Sequence, residues 1–204
     1  MANTQIPDLP AAVALNGSEQ LEIVQNGSSS RTTTQDVANL ALPYISNLQN
    51  YVDYLEKIPC ASFYSTQTQT HGAIGAEALV TCNQVDFQNS ISVVSNNRFQ
   101  VDIAGIYNFQ FSLQLVSPSN NKHAYVWLKK NGVVVPNSNT EVDLPNKDYG
   151  YVAAWNFMVS LNIGEYIQLA WTSDDGVQIK ANASPPYGPA IPSVIATMNL
   201  IRRI

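Results

Sequence analysis

At 204 residues the chain is long enough for one large domain, or for one ordinary domain with an extension. Charged residues make up only 12% while Asn, Gln, Ser and Thr abound, the surface of a β-rich extracellular or virion protein and not of a helix-rich cytosolic enzyme. The net charge is −5 and the only basic cluster is the terminal pair Arg202-Arg203, which excludes a phosphate-binding stripe and nucleic acid as a partner. No window approaches a membrane span, so no membrane contact is expected.

The opening stretch MANTQIPDLPAAV has neither a basic start nor a continuous apolar core, so no signal peptide is expected and folding is assigned to the cytoplasm of the producing cell. Pro7 and Pro10 rule out a regular element there. Leu21 and Ile23 alternate with Glu22 and Val24 before Asn26-Gly27, a strong hairpin signal. Ser28 to Thr34 returns as the second strand, and Thr34 is the expected N-cap of a short helix. A unit this small has too little core to stand alone.

Residues 42–59, LPYISNLQNYVDYLEKIP, have helical spacing. Ile45, Leu48, Val52 and Leu55 fall at a, d, a and d of a heptad, with Pro43 suited to the start and Pro59 to the stop. Ile and Val at a with Leu at d favour two strands, but Tyr44, Tyr51 and Ile58 at g widen the stripe to suit three. The alternative is an amphipathic helix packed on its own head domain.

From Cys60 onward the period changes to two. Ser62-Phe63-Tyr64 begins a strand, THGAIGAEAL is expected as a flexible loop, and Val85 and Phe87 lead toward the central stretch Arg98 to Val116. There Phe99, Val101, Ile103, Tyr107, Phe109, Phe111, Leu113 and Leu115 share one parity, and polar residues take the other. Ala104-Gly105 interrupts the run, giving two antiparallel strands or one bent strand. Ser117 to His123 and Asn137 to Tyr151 are polar loops, Asn131-Gly132 is the clearest hairpin turn, and Trp155 and Phe157 continue an aromatic face. In the last strand both parities are apolar, so both faces are expected to be buried.

No phosphate loop, zinc-ligand spacing or nucleophile elbow is present, so no enzyme activity, cofactor or metal is expected. His71 and His123 fall in predicted polar loops, where solvation is the ordinary fate. Asp174-Asp175 fits a turn, and lacks the alternating ligands of a dedicated calcium loop. Cys60 and Cys82 leave a disulfide open, with two buried thiols the favoured reading.

Two resemblances follow from these residues. Phe99, then AGIYNFQF (104–111), AYVWLKKNGVVV (124–135), AAWNFMVSLNIGEYIQLAW (153–171) and VIATMNLI (194–201) resemble, in order, the globular heads of complement-type and short-chain collagen proteins. That resemblance implies a tumour-necrosis-factor-like antiparallel jelly roll over residues 60–204, assembled as a trimer. Phe99, Tyr107, Phe109, Phe111, Trp155, Phe157 and Ile201 are then its core and trimer interface. It also brings the loops 67–76 and 183–192 together at a tip away from the stalk, with His71 and Tyr187 as candidate contact residues.

Residues 5–40, with IPDLPAA, ALNGSEQLEIVQNG and RTTTQDVAN, are similar to the N-terminal segments of bacteriophage fibre and appendage proteins. This implies an extended virion anchor over residues 1–40 and a short helical trimerisation stalk over residues 41–59. The expected protein is a homotrimeric capsid decoration or head fibre, held in the virion through the major capsid protein or another virion protein. A short tail fibre, whose head meets a host surface glycan or receptor, is the near alternative. A free lectin-like trimeric recognition module is the alternative of a different class.

Overall fold

The change of period at Cys60 coincides with a change of architecture. The computed structural model describes residues 16–56 and 58–204, and the Pro7-Pro10 stretch lies outside them. The chain divides into two units, residues 1–56 and 57–204.

In the first unit β1 (Gln20–Gln25) and β2 (Ser28–Thr33) form an antiparallel hairpin closed by Asn26 and Gly27, at φ 53° and 78°. A two-residue turn of this hand needs both residues left-handed, which Asn and Gly tolerate best. α1 (Thr34–Asn39) and α2 (Leu42–Glu56) follow. The cap of α1 is Thr33, not the expected Thr34. Its hydroxyl accepts from the Asp36 N–H at 3.1 Å, and the Asp36 carboxylate accepts from the Thr33 N–H at 3.1 Å. This reciprocal box satisfies two donors that the helix start leaves orphaned.

The second unit contains β3 (Cys60–Ser65), β4 (Gln69–Thr70), β5 (Ala78–Leu79), β6 (Gln84–Asn89), β7 (Ile91–Val94), β8 (Arg98–Val101) and β9 (Gly105–Val116). It continues with β10 (Lys122–Lys130), β11 (Val133–Val134), β12 (Thr140–Leu144), β13 (Gly150–Leu161), β14 (Tyr166–Ser173), β15 (Gln178–Ile179) and β16 (Val194–Arg203). They pair antiparallel into two sheets. If the principal strands β3, β8, β9, β10, β12, β13, β14 and β16 are counted 1 to 8, one sheet runs 1-8-3-6 and the other 2-7-4-5. This is the strand order of a jelly roll, so the mainly-β sandwich read from the sequence is the fold of the head.

The central stretch is neither a hairpin nor one bent strand. β8 pairs with β7 and β14, whereas β9 pairs with β13 and β16 in the opposite sheet. Residues 102–104 are a corner that carries the chain across the sandwich, which a break in alternation resembles equally well. The corner is built from its own sequence. The hydroxyl of buried Tyr107 donates to the Ile103 carbonyl oxygen at 2.6 Å, and the backbone at Gly105 lies close under Arg202 beside a bulge between Leu200 and Arg202. Burial pushes the Tyr107 phenol up to about 12.

The core lies between the sheets, with one parity of β9 buried throughout. An aromatic string crosses it: Phe63 to Phe99 at 5.6 Å between ring centres, Phe99 to Phe109 at 4.9 Å, and Phe111 to Trp155 at 4.7 Å. Each such side chain contributes about 1.5–3 kcal/mol by leaving water. The Asn131-Gly132 turn joins β10 to β11 at φ 51° and 81°, as expected. His123 is not in a loop. It is the second residue of β10, placed there by pairing with Asp143 of β12.

Candidate functional site

The first unit is organised by one carboxylate. Glu19 accepts from the backbone N–H of Asn16 at 2.8 Å and of Gly17 at 3.0 Å, and from the Thr34 hydroxyl at 2.5 Å. The Thr34 hydroxyl above all, with the Asn16 N–H next, lowers its carboxyl to about 2. Glu19 thereby ties the chain entering the hairpin to the start of α1. Yet among the described residues of this unit no side chain is buried. Leu21, Ile23, Val37 and Leu40 are exposed, as are the heptad residues Ile45, Leu48 (66% exposed) and Val52. Leu55 lies outside the residues whose side chains are described. An apolar stripe along α2 therefore stands open in the single chain.

The residues expected as core and trimer interface separate into two groups. Phe99, Tyr107, Phe109 and Phe111 are buried between the sheets, where only their own chain reaches them. Trp155 and Phe157 are half-buried on β13, where a sheet edge leaves alternation only partly covered, and Ile201 is exposed in the bulge itself. In the single chain the last strand is buried on one face. Val194, Ala196 and Met198 face the core, while Ile195 and Ile201 are exposed. The open face of that sheet carries Ile195 paired with Tyr64, and Met158 and Val152 on β13. Asn156 donates to Asn108 at 2.9 Å between β13 and β9.

Ser193 and Ala181, which flank the loop 183–192, are tied to the chain around the start of the loop 67–76. Ser193 donates its N–H to the Ser65 carbonyl at 2.8 Å and its hydroxyl to the Gln67 carbonyl at 2.6 Å, and Ala181 N–H donates to the Thr68 hydroxyl at 3.1 Å. A cleft of about 200 Å³ is lined by Tyr64, Thr66, Ala181, Ala183, Ile191 and Pro192. Tyr187 stands outside it, 91% exposed, next to Gly188 at φ 79°.

The loop expected to be flexible is pinned. His71 Nε2 lies 2.5 Å from the Ser173 hydroxyl, and its ring meets Trp171 edge-on at 5.2 Å. Thr172 donates to the Ala76 carbonyl at 2.9 Å, and Glu77 pairs with Lys129. The Ser173–His71 contact is a staple and not a nucleophile with its base. Ser173 is buried and within 2.9 Å of the Asp174 carbonyl as acceptor, and His71 Nδ1 faces the Ala73 carbonyl at 3.2 Å instead of an orienting carboxylate. Cys60 and Cys82 are free thiols, and burial pushes the Cys82 thiol up to about 12, which leaves it inert at neutral pH.

A constellation that chain order conceals lies on the exposed side of the other sheet. Asp174 does not diverge into solvent. Its carboxylate accepts from the His123 backbone N–H at 2.8 Å and meets His123 Nδ1 at 3.1 Å. The His123 N–H is the main cause of its lowered carboxyl. His123 Nε2 lies 3.7 Å from Asp143, and Glu141 accepts from the Tyr125 hydroxyl at 2.8 Å. The one sequence signal for this was the doubled i, i+2 spacing of His123 with Tyr125 and of Glu141 with Asp143, which puts each pair on one strand face.

Among the described residues no helix is long and apolar enough to cross a membrane. No family model matches the chain, and no curated protein matches it. Among solved structures, the chain is similar to murine APRIL in a crystal structure at pH 5.0. The match is 12% identical, covers 71% of this chain and all of that one, and has a TM-score of 0.46.

Proposed function

We propose that the chain is a homotrimeric structural protein of a bacteriophage particle, a capsid decoration or head fibre that attaches through residues 1–40 and projects the head. The observation that carries this reading is the first unit. It has ordered hydrogen bonds and caps, yet none of its described side chains is buried. A hairpin and a four-turn helix without a core gain stability only by covering their apolar stripe against something else. Ile45, Leu48 and Val52 at heptad spacing make further copies of the same helix the natural cover. The appendage-like sequence of residues 5–40 supports attachment to a virion protein. The open face around Ile195, Ile201 and Met158 supports contact between heads.

Such a protein works by geometry and not by bond chemistry. Three linked anchors on one particle multiply weak contacts by effective concentration, with no new interaction at any single site. It acts in the virion, after assembly in the host cytoplasm. Light scattering of the full chain, with antibody labelling of purified particles using serum against residues 60–204, tests the reading. Three times the monomer mass and label on the capsid are expected. A monodisperse monomer, or unlabelled particles, overturns it.

A second reading, a short tail fibre touching a host glycan or receptor, is favoured by one feature, the exposed Tyr187 on its proline-stiffened loop. Label at the tail instead of the capsid selects it.

A further inference from the structure

The geometry points to a divalent transition-metal site on the exposed face of the β10–β12 pair, with His123 Nε2 and the carboxylates of Glu141 and Asp143 as ligands and Zn²⁺ as the fitting ion. The three donor atoms lie within 4.8 Å of one another, and Nε2 is 3.7 Å from Asp143 Oδ1. A tetrahedral zinc with bonds of about 2.0–2.2 Å holds its ligand atoms about 3.4 Å apart, so Nε2 and Asp143 already stand near that spacing and the widest pair must close by up to about 1.4 Å.

The supporting groups belong to a metal site more than to a chance cluster. Asp174 lies outside the ligand set and engages Nδ1 at 3.1 Å, which assigns the ring proton there and leaves the Nε2 lone pair facing Asp143 and Glu141. A carboxylate behind the imidazole is the usual outer partner of a metal-bound histidine. Asp174 is itself fixed by the His123 backbone N–H at 2.8 Å. Glu141 is oriented by the Tyr125 hydroxyl through one oxygen, which leaves the other for a metal. Strand pairing holds the ligands, because His123 lies opposite Asp143 and Tyr125 opposite Glu141 in the ladder.

Charge and donor type select the ion. The carboxylates of Glu141 and Asp143 lie near Nε2 and that of Asp174 lies at Nδ1, so three negative charges repel around one imidazole. A divalent ion relieves that repulsion. One nitrogen and two carboxylates suit Zn²⁺, whereas Ca²⁺ demands six to eight oxygens. The side chain of Asp143 is 80% exposed, so a fourth position is open to water or to a donor from a neighbouring molecule. Metal here clips β12 and the turn after β14 onto β10. The rival arrangement is an imidazolium of His123 paired with Asp143 and Asp174, with no metal.

The test is calorimetric titration of the untagged, chelator-stripped full chain with Zn²⁺ alone, beside thermal melts with Zn²⁺ and Ca²⁺. One Zn²⁺ per chain is expected, with a melting temperature raised by Zn²⁺ and unmoved by Ca²⁺. His123→Gln should abolish saturable binding, and Asp174→Asn should weaken it about 10–100-fold while keeping the stoichiometry. Asp143→Asn changes an exposed side chain, so it keeps the fold by circular dichroism and still loses binding at least tenfold. No saturable Zn²⁺ binding by the native chain, which is the outcome of the imidazolium arrangement, overturns the site. So does binding that survives both His123→Gln and Asp143→Asn.

Discussion

The Tyr107 hydroxyl reaches back 2.6 Å to the Ile103 carbonyl oxygen, across the corner where the chain leaves one sheet for the other. The bond satisfies a carbonyl that no strand ladder can reach, and the ring anchors the corner in the core. Tyr107→Phe keeps the ring and removes only the donor, so it should cost about 1–2 kcal/mol. Gly105→Ala acts at the same corner by a different route. A Cβ there would meet the Leu200 side chain and stand 2.7 Å from the Arg202 carbonyl oxygen, and overpacking of this kind costs about 1–3 kcal/mol. Urea unfolding of both variants checks this, with lower midpoints at unchanged slope as the expected result.

A pH dependence belongs to the first unit. The folded Glu19 carboxyl is lowered to about 2 from 4.5, first by the Thr34 hydroxyl and then by the Asn16 N–H. A depressed acid stabilises the fold above its unfolded pKa, and that contribution disappears as pH falls toward the folded value. Hairpin order should therefore hold above about pH 5 and decline between about pH 4.5 and 2. Amide resonances of Asn16 and Gly17 report it directly. Glu19→Gln should remove most of the titration, and an unchanged profile in that variant would exclude Glu19 as its source.

Local chemistry was legible in the sequence wherever one residue type decides a conformation. Asn26-Gly27 and Asn131-Gly132 are turns because few other pairs accept two left-handed residues in succession. The alternation of Tyr107, Phe109 and Phe111 gave the buried face of β9. What alternation cannot report is which sheet a strand joins, so the corner at residues 102–104 read as a hairpin turn or a bend within one strand. It also cannot report whether a partner surface lies over a face, so Ile195 and Ile201 read as buried beside Val194 and Met198. His123 and Asp174 read as separate loop and turn residues, and Glu141 and Asp143 went unremarked, because two strands and the turn after β14 bring the four together from separate parts of the chain.

The stalk admits a sharp test. Leu48 and Val52 lie at d and a of the heptad pattern and are exposed in the single chain. In the proposed assembly, replacing both by Asp puts charge into the seam between copies. Helix signal from residues 42–56 should fall, while the trimer mass proposed for the head persists in light scattering and its melting temperature stays within a few degrees. A large drop in head melting temperature would mean that the helix packs against the head instead of against its copies.

The final prediction concerns Tyr187. Its ring is 91% exposed, and Pro185, Pro186 and Pro189 together with Gly188 at φ 79° limit the loop around it. A large amphipathic ring on a stiff loop loses little entropy when it binds, which is why aromatic residues dominate contact surfaces of this kind. In the isolated chain an exposed ring adds little stability, so Tyr187→Ala should change the unfolding free energy by less than about 0.5 kcal/mol. Adsorption of particles to host cells should fall at least tenfold if this loop meets the receptor. The two readouts separate contact from assembly. A ring that closes over its copies would lower the melting temperature of the assembled protein and leave adsorption unchanged, and that outcome would move the contact surface away from the tip.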